Sequence, residues 1–157
     1  MPARLRQQVV TPDLRQARLP QERPTMSLES DLLRQFDTLV VVGLSPDPDR
    51  PSYRVSKYMQ ENGYRIVPIN PAEQLILGER CYASLAEVPD PVDLVDVFRR
   101  AEFCPDIARQ AAAAGAKVLW LQEGVVSAES RSIVEQAGMS FVEDACVMAV
   151  HMREIRD

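Results

Sequence analysis

The sequence predicts a doubly wound α/β domain built on a parallel sheet, and two observations support this. Short apolar segments alternate with segments of helical periodicity roughly every 25 residues, as expected for successive β–α units. The apolar segments are nearly continuous, which is typical of parallel strands covered on both faces. A chain of 157 residues is the size of one such domain.

The first elements follow from local signals. Ser27 is a candidate N-cap, and the apolar residues after it recur at helical spacing over 28–36. An apolar strand follows over 38–42. Helical periodicity returns over 52–62 and stops at Gly63, because glycine readily adopts the positive φ of a helix end.

The middle of the chain is less regular. A strand is predicted over 65–69, and the segment 75–91 then carries a turn, a short strand near 80–82 and a brief helix from Ser84. The apolar run 92–98 predicts the fourth strand.

The last part of the domain returns to regular alternation. Pro105 suits the first turn of a helix, and this helix is expected to continue to residue 114. The apolar run 117–121 predicts the fifth strand. A helix over 127–137 and a final short strand over 140–142 complete the series.

The two ends of the chain differ in charge. Residues 1–25 hold five arginines and two acidic residues, a charge of +3, whereas the remainder carries −8. We interpret 1–25 as a basic tail and 26–157 as the single folded domain. Two hypotheses are that this tail contacts RNA, a membrane or a partner subunit, and that Met26 is the natural start.

Composition narrows the class of protein. The net charge of −5 argues against a nucleic-acid-binding protein, and no apolar run approaches the ~20 residues of a membrane helix. The three cysteines, Cys81, Cys104 and Cys146, are widely spaced and form no C-x-x-C, which argues against a disulfide scaffold or a zinc site. We expect reduced thiols and a cytoplasmic protein.

Two glycines, Gly43 and Gly124, directly follow predicted strands. Open α/β sheets bind ligands at the carboxyl ends of their strands, where a glycine lets the backbone approach a ligand and leaves N–H groups for an anion. The loop after Gly43 adds two hydroxyl groups, a guanidinium and an aromatic ring, from Ser45, Arg50, Ser52 and Tyr53. This set suits a phosphate joined to an apolar or ring-shaped group.

The first loop differs from the common nucleotide motifs. Ser45 stands at the second glycine of G-x-G-x-x-G, and no G-K-[ST] of a Walker loop follows. NAD sites carry an acidic residue after the second strand, where this chain has Asn70 and Pro71. The missing acid argues against NAD and permits a more heavily phosphorylated nucleotide.

Arg99 and Arg100 follow the fourth strand and concentrate positive charge in an otherwise acidic domain. They predict an anion site, and the alternative is a surface pair matched with nearby acidic residues. Asp93 and Asp96, within the same strand, are interpreted as structural hydrogen-bond acceptors. His151 is interpreted as a surface or packing residue, and no catalytic group or metal-ligand cluster is predicted.

Three segments carry a family resemblance: VVVGLSPDPDRPSYRVSKYMQENGYRIVPINP, SLAEVPDPVDLVDVFRR and GAKVLWLQEGV. In this order and spacing they resemble the stand-alone CoA-binding domain family, which is similar to the CoA-binding domain of the succinyl-CoA synthetase α subunit. The resemblance covers about residues 30–152. It implies a Rossmann-like fold with strand order 3-2-1-4-5 and CoA lying across the carboxyl edge of the sheet.

The resemblance also implies roles for individual residues. The first loop would lie near the CoA phosphates, through Gly43, Leu44, Ser45, Arg50, Ser52 and Tyr53. The other loops would hold the adenosine end and the rest of the cofactor, through Asn70, Pro71, Phe98, Arg99, Gln122 and Gly124. Glu123 departs from the family, whose members usually have an apolar residue there, and could weaken binding or indicate another ligand.

The sequence therefore predicts a non-enzymatic protein that binds CoA or an acyl-CoA. One alternative is a redox or nucleotide sensor that binds NAD(H) or NADP(H) in the same cleft. Another is a scaffold or partner subunit that has lost its ligand. The sequence also permits a homo-oligomer.

Overall fold

The computed structural model describes residues 27–156. The predicted tail, 1–25, and the hypothetical start at Met26 lie outside the described residues. Within them the chain forms a parallel sheet with helices on both faces, which confirms the doubly wound α/β class.

The sheet strands are β1 (Thr38–Val42), β2 (Arg65–Ile69), β5 (Leu94–Val97), β6 (Val118–Leu121) and β7 (Ser140–Val142). Their order is β2-β1-β5-β6-β7, and all neighbouring strands are parallel. A separate antiparallel hairpin pairs β3 (Leu75–Ile76) with β4 (Glu79–Arg80). The carboxyl ends of β1, β2, β5 and β6 therefore share one edge of the sheet.

The strand order differs in detail from the expected 3-2-1-4-5. At the edge where a third strand was expected, Tyr82 forms an isolated bridge to β2, bonded to the Pro68 carbonyl at 3.0 Å and the Asn70 N–H at 2.9 Å. The preceding residues reverse direction at Leu77 and Gly78, which both have positive φ. Their backbone groups pair within the hairpin instead, and β7 adds a strand at the opposite edge.

The α-helices of the described residues are α1 (Leu28–Gln35), α2 (Pro51–Glu61), α3 (Cys104–Ala113), α4 (Ala128–Gln136) and α5 (Val147–Val150). The expected N-cap Ser27 is confirmed, since its hydroxyl oxygen accepts a hydrogen bond from the N–H three residues later at 3.2 Å, and Ser127 caps α4 in the same way at 3.1 Å. The helix expected from Ser84 is a short 3₁₀ turn. In this part of the chain, no helix combines the length and apolar character needed to cross a bilayer.

Two apolar layers cover the sheet. Side chains alternate along each strand, so that in β1 Val40 packs under α3 and α4, whereas Leu39 and Val41 pack under α1, α2 and α5. Trp120 of β6 is fully buried in the second layer, and its Nε1 donates to the Ala145 carbonyl at 2.8 Å. This double burial explains the continuous apolar character of the strands.

The C-terminal turn, His151–Ile155, closes the second layer against α1. His151 is buried there, with its Nδ1 2.8 Å from the Tyr58 hydroxyl oxygen and its ring edge-on to Tyr64. Burial lowers the pKa of His151, and the charge of Arg156 lowers it further. These contacts support the interpretation of His151 as a packing residue.

The buried histidine is expected to make the protein less stable in mild acid. Because the pKa of His151 is lower in the folded state, the unfolded chain binds more protons once the pH falls through about 6.5. The contribution of His151 to the free energy of unfolding should therefore decrease below that pH and stay constant above it. Denaturant unfolding between about pH 5 and 7.5 measures this. His151 is the one histidine of the chain. Below about pH 6.5 the wild type should therefore lose stability relative to the variant His151→Gln, and a stability difference between the two that does not vary with pH would contradict the assignment.

Candidate functional site

Two adjoining cavities lie at the carboxyl edge of the sheet. The first has a volume of about 630 Å³ and extends from the ends of β1 and β2 to α3. The second, of about 520 Å³, lies between the start of α2 and the loops after β5 and β6. Gly43, Ser45 and Arg99 line both cavities, so the first loop and one arginine form the junction.

Most of the twelve site residues expected from the sequence come together at these cavities. Those lining the first cavity are Gly43, Leu44, Ser45, Asn70, Pro71 and Arg99. Those lining the second are Gly43, Ser45, Arg50, Ser52, Phe98, Arg99 and Gln122. Tyr53 and Gly124 line neither cavity, and Tyr53 packs instead against the apolar layer beneath α2.

Gly43 is required by the packing of the protein's own backbone. It has a φ of +87°, and a Cβ at this position would lie 2.6 Å from the Phe98 carbonyl oxygen. Its N–H is directed to the Ile69 carbonyl oxygen at 3.3 Å. The glycine thus lets the first loop lie against the end of β5, and its own amide is bonded within the protein.

Gly124 also differs from its expected role. Its φ is +85°, and its N–H donates to the Asp144 carboxylate at 2.7 Å. The amide is therefore committed to the loop after β7.

The polar side chains of the first two loops mainly hold those loops in shape. The Ser52 hydroxyl oxygen accepts from the Ser45 N–H at 3.0 Å, which ties the first loop to the start of α2. Asn70 donates to the Leu44 carbonyl at 3.0 Å and accepts from the Ala72 N–H at 2.8 Å. These bonds preorganise the cavity walls before any ligand arrives.

Arg99 and Arg100 have different surroundings. Arg99 lies over the Phe103 ring, with its Cζ 4.5 Å from the ring centroid, and faces both cavities. Arg100 is strongly exposed and lies 3.9 Å from Glu102, so the alternative of a surface ion pair applies to it. Arg99 is consequently the better-placed guanidinium for an anion at the junction.

The Arg99–Arg100 loop is held from beneath by Cys104. This side chain is fully buried, and its Sγ lies 3.4 Å from the Arg100 carbonyl oxygen and 3.8 Å from that of Arg99. Burial raises the pKa of the Cys104 thiol, and it also raises that of Cys81. Both thiols are thereby kept protonated and poorly nucleophilic, as expected for packing residues.

Charge is unevenly divided between the two cavities. The first has an apolar floor that includes Leu85 and Ile107, with the carboxylates of Glu102 and Asp106 near its rim. The second is bordered by three guanidinium groups and one carboxylate, from Arg50, Arg99, Arg100 and Glu123. The first turn of α2, which starts there, contains no acidic residue. Anionic groups are therefore best placed at the junction and the second cavity.

Several lining residues were not anticipated as site residues, including Ala83, Phe103, Ile107 and Gln110. They come from the irregular segment before β5 and from the start of α3. The sequence signal that could have identified Phe103 is its aromatic side chain, four positions after Arg99. Among residues 27–156, no group of three or more histidine, cysteine, aspartate or glutamate side chains could hold a metal ion.

Comparison with known proteins gives three consistent results. The family model described as "CoA binding domain" matches residues 37–152. "Uncharacterized protein YneT" of Bacillus subtilis is 37% identical over 83% of this chain and 96% of its own length. A solved structure, "hypothetical protein from Pyrococcus horikoshii OT3", is 33% identical with a TM-score of 0.79, covering 82% of this chain and 90% of its own.

A larger protein also contains a similar segment. The α subunit of acetate–CoA ligase (ADP-forming) I of Pyrococcus furiosus is 33% identical over 60% of this chain, which corresponds to 21% of that subunit. The chain thus spans about a fifth of this relative, and the similarity concerns one part of the ligase subunit.

Proposed function

Since this chain belongs to the CoA-binding domain family, we propose that it binds coenzyme A or an acyl-CoA across the carboxyl edge of its sheet. In this proposal the protein contributes binding and no catalysis of its own. The observation that carries it is the pair of cavities joined at Gly43, Ser45 and Arg99. An elongated cofactor with a ring at one end and phosphates in the middle matches this shape and charge.

The two cavities suit different parts of CoA. The first offers an apolar floor suited to the adenine ring. At the junction Arg99 is available for the phosphates, and the Ser45 hydroxyl can still donate its own hydrogen after accepting from the Asp47 N–H at 3.1 Å. The pantetheine arm would then continue into the second cavity. The volume of each cavity lies within the usual range for a small-molecule site, about 300–1,000 Å³.

NAD(P) binding by a redox or nucleotide sensor is the competing proposal. Asn70 stands where an NAD site carries an acid, and both of its amide atoms bond to the protein backbone. Its orientation is therefore set by the loop, and a neutral amide stands where a carboxylate would accept from the ribose hydroxyl groups. This favours CoA over NAD. We further propose a reducing, cytoplasmic setting, which the three free cysteines support.

Isothermal titration of the full chain with CoA is the direct test. We expect saturable heat with one site per chain and a dissociation constant below about 1 mM. CoA and acetyl-CoA should raise the melting temperature, whereas NAD and NADP should not, because only a ligand that prefers the native state stabilises it. Absence of heat at near-millimolar CoA would overturn the proposal, and a melting shift with NADP alone would favour the sensor.

A further inference from the structure

Asp96 is a buried acidic residue within the most buried part of the sheet. It lies in the central strand β5, is 1% exposed, and has the apolar residues Val41 and Trp120 as its register neighbours. Its carboxylate accepts a hydrogen bond from the Gln122 side-chain amide. Burial of a carboxyl group is costly, so this group needs a compensating partner.

Gln122 links this buried carboxyl to the site. It directly follows β6, is 6% exposed and lines the second cavity. A glutamine amide has a donor end and an acceptor end, and a carboxylate can only accept. Because Nε2 is directed to Asp96, the carbonyl oxygen Oε1 is the acceptor of this side chain that remains for a ligand.

We propose that Asp96 is a positioning residue that holds the Gln122 amide with its oxygen toward the second cavity, so that this wall selects ligand N–H groups. This inference rests on the proposed function and deepens it, because it assigns the amide-bearing arm of CoA to the second cavity. Glu123 lines the same cavity with a second acceptor, and the guanidinium groups of Arg50 and Arg100 lie along it as donors. The cavity thus has a donor side for phosphates and an acceptor side for amide N–H groups.

The ionisation of Asp96 gives the arrangement a measurable signature. Burial raises the pKa of Asp96 to about 7, and the Gln122 hydrogen bond acts in the opposite direction. Ionised Asp96 can only accept, so it holds the Gln122 amide with Nε2 toward itself. Protonated Asp96 can also donate a hydrogen bond to Oε1, which permits the reversed amide with Nε2 toward the cavity. The preference of the second cavity for ligands that carry N–H groups should therefore increase as the pH rises through about 7.

Other groups near Asp96 could also titrate. Those packed on the same face of the sheet are Tyr53, Tyr58, Tyr64, Cys81, Cys146 and His151. The charged groups that line the cavity beyond Gln122 are Arg50, Arg99, Arg100 and Glu123. A variant that removes the Asp96 ionisation alone is thus needed to assign the effect.

Titration of variants with two ligands tests the proposal. CoA carries the amide-bearing arm, whereas its nucleotide part, 3′-phospho-ADP, lacks it. Gln122→Leu and Asp96→Leu are each expected to weaken CoA binding about three- to tenfold, the effect of one hydrogen bond, and to leave 3′-phospho-ADP binding nearly unchanged. The double variant should lose no more than the worse single variant, because Asp96 acts through Gln122.

The pH profile separates positioning from a general structural effect. The terminal phosphate of 3′-phospho-ADP titrates in this range, so the ratio of CoA affinity to 3′-phospho-ADP affinity depends on pH in every variant. In the wild type, ionisation of Asp96 should add a rise in this ratio between about pH 6 and 8. Asp96→Asn, which is similar in size and cannot ionise, should abolish this rise. Asp93→Asn, a change directly before β5 at a partly exposed carboxyl that lines neither cavity, should retain it. The Asp96→Asn profile suffices even if Asp96→Leu does not fold.

The outcomes distinguish the two proposals. Equal losses for both ligands, additive losses in the double variant, or the same pH profile in Asp96→Asn as in the wild type would overturn the positioning role while CoA binding stands. Failure of the wild type to bind CoA would overturn the proposed function, and this inference with it.

Discussion

Replacing Gly43 with alanine is expected to destabilise the protein by about 3 kcal/mol and to abolish CoA binding at sub-millimolar concentration. Two costs combine in this variant. The φ of +87° is unfavourable for any residue with a Cβ, and that Cβ would lie 2.6 Å from the Phe98 carbonyl oxygen. Since the obstructing atom belongs to the backbone of a buried region, the loop would have to move away from β5.

Gly63→Ala is the matched control. Gly63 also has a positive φ, +94°, but nothing lies within 4 Å of an added Cβ, and it follows α2 far from both cavities. Gly63→Ala should therefore lower the free energy of unfolding by about 1 kcal/mol and leave ligand binding intact. Denaturant unfolding and CoA titration of both variants provide the measurement. Similar stabilities for the two would show that the close approach at Phe98 is unimportant.

Replacing Arg99 with alanine is expected to weaken CoA binding roughly 10- to 100-fold, the range for a charge-assisted hydrogen bond to phosphate. The effect should be large because Arg99 faces both cavities and its guanidinium is already oriented by the Phe103 ring, 4.5 Å away. The effect should shrink at high salt, since ions screen an exposed charge. Isothermal titration at two ionic strengths measures both.

Two other arginines provide graded controls with the same change in net charge. Arg100 lines the second cavity but is strongly exposed and near Glu102. Arg100→Ala should therefore weaken CoA binding only a few-fold. Arg109, on α3, forms an ion pair with Glu129 of α4 at 3.0 Å and lines neither cavity. Arg109→Ala should therefore leave CoA binding unchanged. Equal losses in all three variants would indicate a general charge effect and contradict a phosphate contact by Arg99.

The order and type of the main elements were predictable because their signals are local. Helical spacing, the Ser27 and Ser127 caps and Pro105 near the start of α3 act within one or two turns of chain. The position of the cavities followed from a general property of parallel sheets, that loops at their carboxyl edge converge. The family resemblance then identified which loop residues to consider.

The roles of individual site residues were less predictable, because they depend on contacts between distant parts of the chain. Gly43 was predicted to face a ligand, yet a Cβ added at this position would first meet the backbone carbonyl oxygen of Phe98. Gly124 was expected to let the backbone approach a ligand, yet it lines neither cavity and its N–H is bonded to Asp144, twenty residues away.

Periodicity and turn residues in the chain specify an alternating α/β domain whose strands end at a common ligand edge, since these signals act between near neighbours. Folding alone sets which polar groups at that edge bond to one another and which remain for a ligand. Asp96 and Gln122 illustrate this point. Asp96 lies in β5 and Gln122 directly follows β6, so their side chains meet only when these two strands pair. A hydrogen bond depends on distances of a few tenths of an ångström, and such distances are determined by the packing of the whole domain.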